Sequence, residues 1–165
     1  MGNIIDTIGN TPLVEITSFH ANPKVKIYAK LEGNNPAGSV KDRPALNMIR
    51  SAIERGEIKK GDRLIEATSG NTGIALAMIA SMYELELELV MPSSSTRERT
   101  LTMEAFGAQV TLLENMEICR DYAEEKAEKD GVFILNQFAN PDNYEAHIKT
   151  TGPEIWRDTQ GKITH

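Results

Sequence analysis

The sequence predicts an α/β protein in which helices flank a parallel sheet. Between residues 64 and 136, short apolar runs alternate with longer helix-like segments, and Gly or Pro ends most of these segments. Repeated β–α units of this length form parallel sheets that are covered by helices. Ligands in such sheets bind beyond the carboxyl ends of the strands, so we expect the functional residues at that edge.

The N-terminal part of the chain begins with two short predicted strands. Alternating apolar and polar residues place these strands at 11–16 and 25–31. A dense cluster of Gly, Asn and Pro at 33–38 predicts a loop. We expect Asp42 to cap the helix that follows this loop, and Gly56 to end it.

The alternation of strands and helices then continues along the chain. Apolar runs and helical spacing predict strands at 64–68, 85–91, 110–113 and 132–136, and helices at 72–82, 96–106 and 116–129. Strict alternation of Glu and Leu over 84–89 predicts that one face of its strand is polar. Beyond the last strand we expect a loop at 140–143, a helix at 147–156 that contains or is interrupted by a Gly-Pro pair, and the opening of another strand at 162–165.

The composition excludes several classes of function. The 165 residues carry a formal net charge of −6, so we expect no nucleic acid partner. No apolar run is long enough to span a bilayer, and the N-terminus lacks the order of a secretory signal. Cys119 is the only cysteine, so we expect no disulfide, an unreactive buried thiol and a cytoplasmic location. Three histidines lack metal-ligand spacing, so we expect no metal site: His20, His147 and His165.

The most informative segment is the turn Thr68-Ser69-Gly70-Asn71-Thr72-Gly73, which we call the 68–73 turn. A predicted strand breaks there and the chain restarts as a helix. The first backbone N–H groups of a helix have no partner, and the helix dipole is positive at that end. The turn therefore predicts an anion cradle, for a carboxylate or a phosphate. Gln137, which follows the last predicted strand, belongs to the same edge of the sheet.

A second informative segment is Lys41, which lies between a glycine-containing loop and a helix start, beside Arg43. A lysine next to another cation is a candidate nucleophile for imine chemistry. From position alone, a solvated surface lysine is the alternative. Arg97 and Arg99 at the start of a later helix also have two interpretations: solvated side chains, or contacts with a mobile lid or an anionic substrate.

Taken together, these motifs resemble the cysteine synthase family. The matching segments are Ile8-Gly9-Asn10-Thr11-Pro12-Leu13, Asn34 to Arg43, the 68–73 turn, Gln137-Phe138 and Thr151 to Trp156. The family consists of pyridoxal-phosphate enzymes of the tryptophan-synthase-β-like fold, also called fold type II. Ala37-Gly38-Ser39 and Met103 to Ala108 are most similar to the B-type enzyme. Threonine dehydratases and cystathionine β-synthases share some of these motifs.

The resemblance implies a role for each matching residue. Lys41 matches the lysine that binds pyridoxal 5′-phosphate covalently, and Asn71 matches the side chain that hydrogen-bonds the cofactor's 3′-oxygen. The loop that holds the substrate carboxylate is matched by Thr68, Ser69, Gly70, Asn71 and Thr72. Gln137 matches a second contact with that carboxylate. The resemblance thus implies that the cradled anion is a substrate carboxylate rather than a phosphate.

The reaction implied by the resemblance is β-replacement of O-acetylserine by sulfide or thiosulfate, with Lys41 as the general base at Cα. A homodimer is implied as well. Two other interpretations stay open: a non-catalytic α/β remnant that binds a small carboxylate or a protein partner, and a related lyase similar to cystathionine β-synthase. A nucleotide-binding domain is disfavoured because no Gly-x-Gly-x-x-Gly motif follows a strand.

Family members continue beyond a segment like Lys162 to His165. They carry a second glycine-rich loop that grips the cofactor phosphate, and a Ser or Thr that meets the pyridine nitrogen. We therefore expect residues 1–165 to be an N-terminal part that is inactive alone, with a smaller domain at 41–145 and with 1–40 and 146–165 in an incomplete larger domain. A separate chain that supplies the C-terminal half is one explanation, and a free-standing remnant is another.

Overall fold

The computed structural model describes residues 2–17, 22 and 24–165. Its helices and strands, in chain order, are β1 (Leu13–Glu15), β2 (Tyr28–Lys30), α1 (Asp42–Glu54), β3 (Arg63–Ala67), α2 (Asn71–Met82), β4 (Glu86–Pro92), α3 (Arg97–Ala105), β5 (Gln109–Leu113), α4 (Met116–Asp130), β6 (Phe133–Ile134), α5 (Pro141–Ala146) and α6 (Gly152–Asp158). Short 3₁₀ turns cover Ile4–Thr7 and Glu32–Asn34. His20, one of the histidines considered for a metal site, lies outside the described residues.

The central sheet is parallel, with strand order β5-β4-β3-β6. The predicted fold class, a parallel sheet flanked by helices, is confirmed. β1 and β2 form a separate two-stranded antiparallel sheet. β6 is short and pairs with β3 only through Leu64↔Phe133 and Ile65↔Ile134. The chain therefore leaves the sheet soon after it joins β3, at the edge where the site was expected.

The two faces of the sheet bury alternate residues of each strand, because successive side chains of a strand point to opposite faces. Leu64 and Leu89 pack into a large cluster with α1, α2 and α3. Ile65 and Val90 pack on the other face, against α4. Eight of the twelve residues of α2 are buried, since this helix lies between the sheet and α1. Cys119 is buried on α4, and burial raises the pKa of its thiol.

Two predictions about helix starts were wrong. Asp42 does not cap α1, because its Oδ2 accepts a hydrogen bond from the backbone N–H of Ala37 and so stabilises the preceding loop. Residues 140–143 do not form a loop. Asn140 is the N-cap of α5, its Oδ1 accepts from the N–H of Asp142, and Pro141 occupies the first turn. An Asn-Pro pair is compatible with both a turn and a helix start, and here it starts a helix.

The end of the chain also differs in part from the prediction. The helical run continues from α5 through a π-helical turn at His147–Thr151 into α6, so the Gly-Pro pair is contained in it. The wider turn precedes Pro153, which has no N–H to donate to a helix ladder. Residues 162–165 contain no strand. In the part of the chain that the structure describes, no helix is both long enough and apolar enough to cross a membrane.

Candidate functional site

The 68–73 turn links the carboxyl end of β3 to the first residue of α2. The backbone N–H of Thr68 donates to the carbonyl of Val90 at 3.0 Å, which continues the pairing of β3 with β4. Gly70 is the N-cap, and its carbonyl accepts from the N–H of Gly73 at 3.0 Å. Thr68 and Thr72 are buried, whereas Asn71 is exposed. The turn therefore has a fixed base and an accessible tip.

The backbone donors at the tip are free to bind a ligand. Within the described residues, no acceptor pairs with the backbone N–H groups of residues 69–72. These groups lie at the positive end of α2, so an anion placed there gains both hydrogen bonds and a favourable dipole. This arrangement is what the predicted anion cradle requires.

Close packing fixes the shape of the turn from behind. A Cβ atom added to Gly73 would lie 2.7 Å from both the Cγ2 atom of Thr68 and the Cε atom of Met103. Only glycine leaves room for Thr68 at this point. Arg99 on α3 donates from Nη1 to the carbonyl of Ser69 at 3.0 Å. The sequence left open a solvated Arg99 or a contact with a mobile lid or an anionic substrate. In the structure the Arg99 side chain is exposed and contacts the turn itself.

Gln137 lies beside the turn, as the sequence predicts. Its side-chain Nε2 donates to the carbonyl of Ala67 at 3.1 Å. Its backbone N–H donates to Oε1 of Glu66 at 3.1 Å, and the N–H of Asn136 donates to Oε2 of the same carboxylate at 2.9 Å. The sequence analysis did not identify Glu66. A signal was present, because a carboxylate within the apolar run of β3 needs partners when it is buried.

Lys41 immediately precedes α1 and is half-buried. Its backbone N–H donates to Oγ of Ser39 at 3.1 Å, and its carbonyl accepts from the N–H of Ala45 at 3.0 Å. Its side-chain amine has no hydrogen-bond or ion-pair partner among the described residues. α1 packs against α2, which begins at the 68–73 turn.

His147 lies near Lys41, a proximity that the sequence did not indicate. Burial lowers the pKa of His147, and the positive charges of Lys41 and Arg43 lower it further. Its Nδ1 hydrogen-bonds Oγ1 of Thr151 at 2.9 Å, as expected for a structural histidine. The lowered pKa favours the uncharged ring, so His147 adds less positive charge beside the lysine.

A buried ionic cluster holds the segment that carries Lys41. We define the ionic cluster as Lys30, Glu32, Arg43 and Glu154. The guanidinium of Arg43, with 1% of its side chain exposed, donates to Glu154 from Nη1 at 2.6 Å and to Glu32 from Nε at 2.8 Å. Lys30 Nζ lies 2.8 Å from Glu154 Oε2. The cluster thus joins β2, α1 and α6 around one guanidinium.

The ionic cluster explains why several motifs occur together. The hydroxyl of Thr11 accepts from Arg43, and the backbone N–H of Asn10 donates to Glu154 at 3.0 Å. Burial alone would raise the pKa of Glu154, but hydrogen bonds from Arg43 and Lys30 outweigh it and lower the pKa to about 2. Arg43 is therefore a paired cation, and its charge next to Lys41 is largely balanced by carboxylates.

No group of three or more His, Cys, Asp or Glu side chains within the described ranges could hold a metal ion.

Comparison with known proteins gives concordant results. A family model described as "Pyridoxal-phosphate dependent enzyme" matches residues 4–165. Cysteine synthase B of Salmonella typhimurium is 54% identical over 168 residues, an alignment that covers 100% of this chain and 55% of the relative. The chain therefore spans about half the length of such relatives.

Solved structures of similar proteins share this fold. A crystal structure of cysteine synthase from Entamoeba histolytica matches with a TM-score of 0.93 and 40% identity, covering 99% of this chain and 51% of that one. O-ureido-L-serine synthase matches with a TM-score of 0.93 and 40% identity over 99% of this chain and 52% of its own.

Proposed function

Because this chain belongs to the family of pyridoxal-phosphate dependent enzymes, we propose that the protein makes cysteine by β-replacement of O-acetylserine with sulfide or thiosulfate. Family membership confirms the predicted cofactor, pyridoxal 5′-phosphate. The observation that carries the reaction is the 54% identity with a cysteine synthase B across the whole chain. Since the chain spans 55% of that relative, the activity is proposed for the protein that includes these residues.

The residues present fit the cofactor and an amino-acid substrate. An aldehyde-bearing cofactor needs an accessible amine, and the amine of Lys41 is half-buried and unpaired among the described side chains. A substrate carboxylate needs several aligned donors, and residues 69–72 offer backbone N–H groups at a helix start. The exposed side-chain amide of Asn71 adds a group that can donate or accept a hydrogen bond.

In the proposed reaction, each part of the site has one task. When bound, pyridoxal phosphate supplies the electron sink for cleavage of the Cα–H bond. Lys41 accepts the Cα proton as a general base. Thr68, Ser69, Gly70, Asn71 and Thr72 hold the substrate carboxylate, with Gln137 as a second contact, and so orient the Cα–H bond toward Lys41.

The remaining parts of the proposal concern organisation and partners. We place residues 41–145 in a smaller domain, which contains the four-stranded sheet, and residues 1–40 and 146–165 in a larger one, which contains β1, β2 and α6. We also propose a homodimer, as the resemblance to the cysteine synthase family implies, and a cytoplasmic location, because a single cysteine, Cys119, fits a reducing compartment.

Two other functions remain as competitors. The match to O-ureido-L-serine synthase favours a related β-replacement with a different nucleophile. A module that binds a small carboxylate without the cofactor is the non-catalytic competitor, and the free donors of the 68–73 turn favour it.

The test is covalent capture of the cofactor on the protein purified in its natural length. Borohydride reduction should fix a pyridoxyl group on the peptide that contains Lys41, and Lys41→Ala should remove it together with cysteine formation. The matched control is Lys60→Ala, because Lys60 is exposed and pairs only with Glu84 in the described structure.

A pyridoxyl group that persists in Lys41→Ala would contradict the proposal. Calorimetry separates the competitors. O-acetylserine that binds without cofactor would favour the carboxylate-binding module, and turnover with a nucleophile other than sulfide or thiosulfate would favour the related β-replacement.

A further inference from the structure

Glu66 is a carboxylate in the middle of the sheet, on β3, and it is 2% exposed. A buried carboxylate is strongly unfavourable unless hydrogen bonds or a cation compensate for lost water. In the described structure no Lys or Arg pairs with Glu66; its partners are backbone N–H groups and the side-chain amide of Gln137. Burial raises its pKa, and the N–H groups of Gln137 and Asn136 oppose that rise.

The position of these N–H groups shows what the carboxylate does. The ladder between β3 and β6 ends at Ile65↔Ile134. One residue further along β3, the side chain of Glu66 replaces the backbone as the acceptor. It accepts hydrogen bonds from the backbone N–H groups of Asn136 at 2.9 Å and Gln137 at 3.1 Å. Asn136 has a φ of +53°, a left-handed conformation that bends the chain out of the sheet at this point.

The bend directs Gln137 back toward β3. Its side-chain Nε2 donates to the carbonyl of Ala67 at 3.1 Å, one residue before the 68–73 turn begins. Its own carbonyl accepts from Nδ2 of Asn143 at 2.7 Å. Two successive residues of β3 therefore hold Gln137: Glu66 holds its backbone and Ala67 its side chain.

We propose that Glu66 is a positioning residue for the substrate-carboxylate site: by binding the N–H groups of Asn136 and Gln137, it sets the Gln137 side chain against the 68–73 turn. This inference rests on the proposed function, in which Gln137 contacts the substrate carboxylate. In the described structure Glu66 bonds Asn136 and Gln137 and makes no hydrogen bond or ion pair with Lys41. Its loss should therefore weaken binding of the amino-acid substrate and leave the chemical step almost unchanged.

The test is Glu66→Gln in the full-length protein loaded with cofactor. The side chain keeps its shape, but its amide nitrogen then faces a backbone donor and one N–H loses its acceptor. We expect the Kd of O-acetylserine or L-serine, followed by the cofactor spectrum, to rise about tenfold, as for loss of a hydrogen bond to a charged group. The value of kcat should change less than twofold, and hydrogen exchange at Gln137 should become faster.

Two further variants separate positioning from general destabilisation. Glu88→Gln is the matched control, because Glu88 is also buried on a central strand but bonds Thr111 and Lys126. It should lower stability without raising the Kd. In the double variant with Gln137→Ala, Glu66→Gln should add little to the effect of Gln137→Ala alone, because both act on one contact.

The inference is overturned if Glu66→Gln raises the Kd no more than Glu88→Gln does, or if its effect adds fully to that of Gln137→Ala. If Glu66→Gln does not fold, Glu66→Asp replaces it. We expect a smaller rise in Kd for this variant, and an unchanged Kd would overturn the inference. Failure of the proposed function is a different result: the unchanged protein would then form no cofactor adduct and would not respond to the amino acid.

Discussion

The two loops that carry the candidate site are held in different ways. The segment around Lys41 is followed by Arg43, whose buried guanidinium is bonded by the carboxylates of Glu32, 11 positions before it, and Glu154, 111 positions after it. The 68–73 turn has no ion pair among the described side chains. It is held by the backbone bond of Thr68, by the contact of Arg99 with the Ser69 carbonyl, and by the absence of a side chain at Gly73.

The difference follows from what each loop is proposed to do. A lysine that forms a covalent link must point in one direction, so strong, directional and buried bonds beside it are useful. A turn that receives an anion must keep its N–H groups unpaired until the anion arrives, so it is held by shape and by its carbonyl groups. The comparison predicts that damage to the ionic cluster lowers global stability, whereas damage behind the turn changes ligand binding.

The largest effect is expected for Arg43→Met. This change removes the shared partner of Glu32 and Glu154 and leaves two carboxylates that are buried or partly buried. Breaking a buried ion pair on one side costs about 3–5 kcal/mol of folding free energy. Urea unfolding of the purified variant and of the unchanged protein measures this loss of folding free energy.

The control for Arg43 is Arg50→Met on the same helix. Arg50 is exposed, and its hydrogen bond to the hydroxyl of Tyr83 is 3.4 Å long. Arg50→Met should therefore change the free energy of unfolding by no more than about 0.5 kcal/mol. If Arg43→Met lowers the free energy of unfolding no more than Arg50→Met does, the ionic cluster does not stabilise the protein.

An intermediate effect is expected for Gly73→Ala. The new methyl group would overlap Thr68 and Met103, and such overpacking costs about 1–3 kcal/mol. The flexible end of Met103 can move, whereas movement of Thr68 distorts the turn. We therefore expect weaker binding of the amino-acid substrate, measured by titration, together with a lower thermal midpoint.

Gly33→Ala is the control for Gly73, because no atom outside its immediate neighbours lies within 4 Å of its added Cβ. If Gly73→Ala lowers stability but leaves substrate binding unchanged, Thr68 does not transmit the distortion to the turn. Damage behind the turn would then act on stability, as damage to the ionic cluster does.

The smallest effect on stability is expected for Arg99→Ala. A single exposed contact contributes little, so the unfolding free energy should change by less than about 0.5 kcal/mol. The Ser69 carbonyl loses its donor, however, and the Kd of the amino-acid substrate should change by a factor of about 2–5. Arg97→Ala, at the exposed start of the same helix, is the control, and an equal change in both variants would remove the role of Arg99.

Local patterns were sufficient for much of the fold. The parallel sheet, the turn at its edge and the starts of α2 and α4 follow from apolar periodicity and from Gly, Pro and Asn positions. Local signals failed where two structures share one signal: the Asn140-Pro141 pair fits a loop and a helix cap equally well. Asp42 was misassigned because its acceptor is used by Ala37, which lies before the helix rather than in it.

The proximity of Gln137 to the 68–73 turn was predictable from the sequence, but the residues that support them were not. Gln137 and the turn lie together because both follow strands of one sheet, which is a rule of topology. Arg43 and Glu154 are 111 positions apart, and Glu66 and Gln137 are 71 apart, so no local pattern pairs them. Such pairs become visible only when the chain is folded.

The span from Arg43 to Glu154 has a consequence for how the protein is made. A ribosome that adds ~5–20 residues per second needs roughly 5–20 s to pass from the guanidinium to its second carboxylate. During that time the Arg43 guanidinium has Glu32 and Thr11 as partners but not Glu154. The ionic cluster beside Lys41 is therefore completed late in synthesis, after the whole four-stranded sheet has emerged.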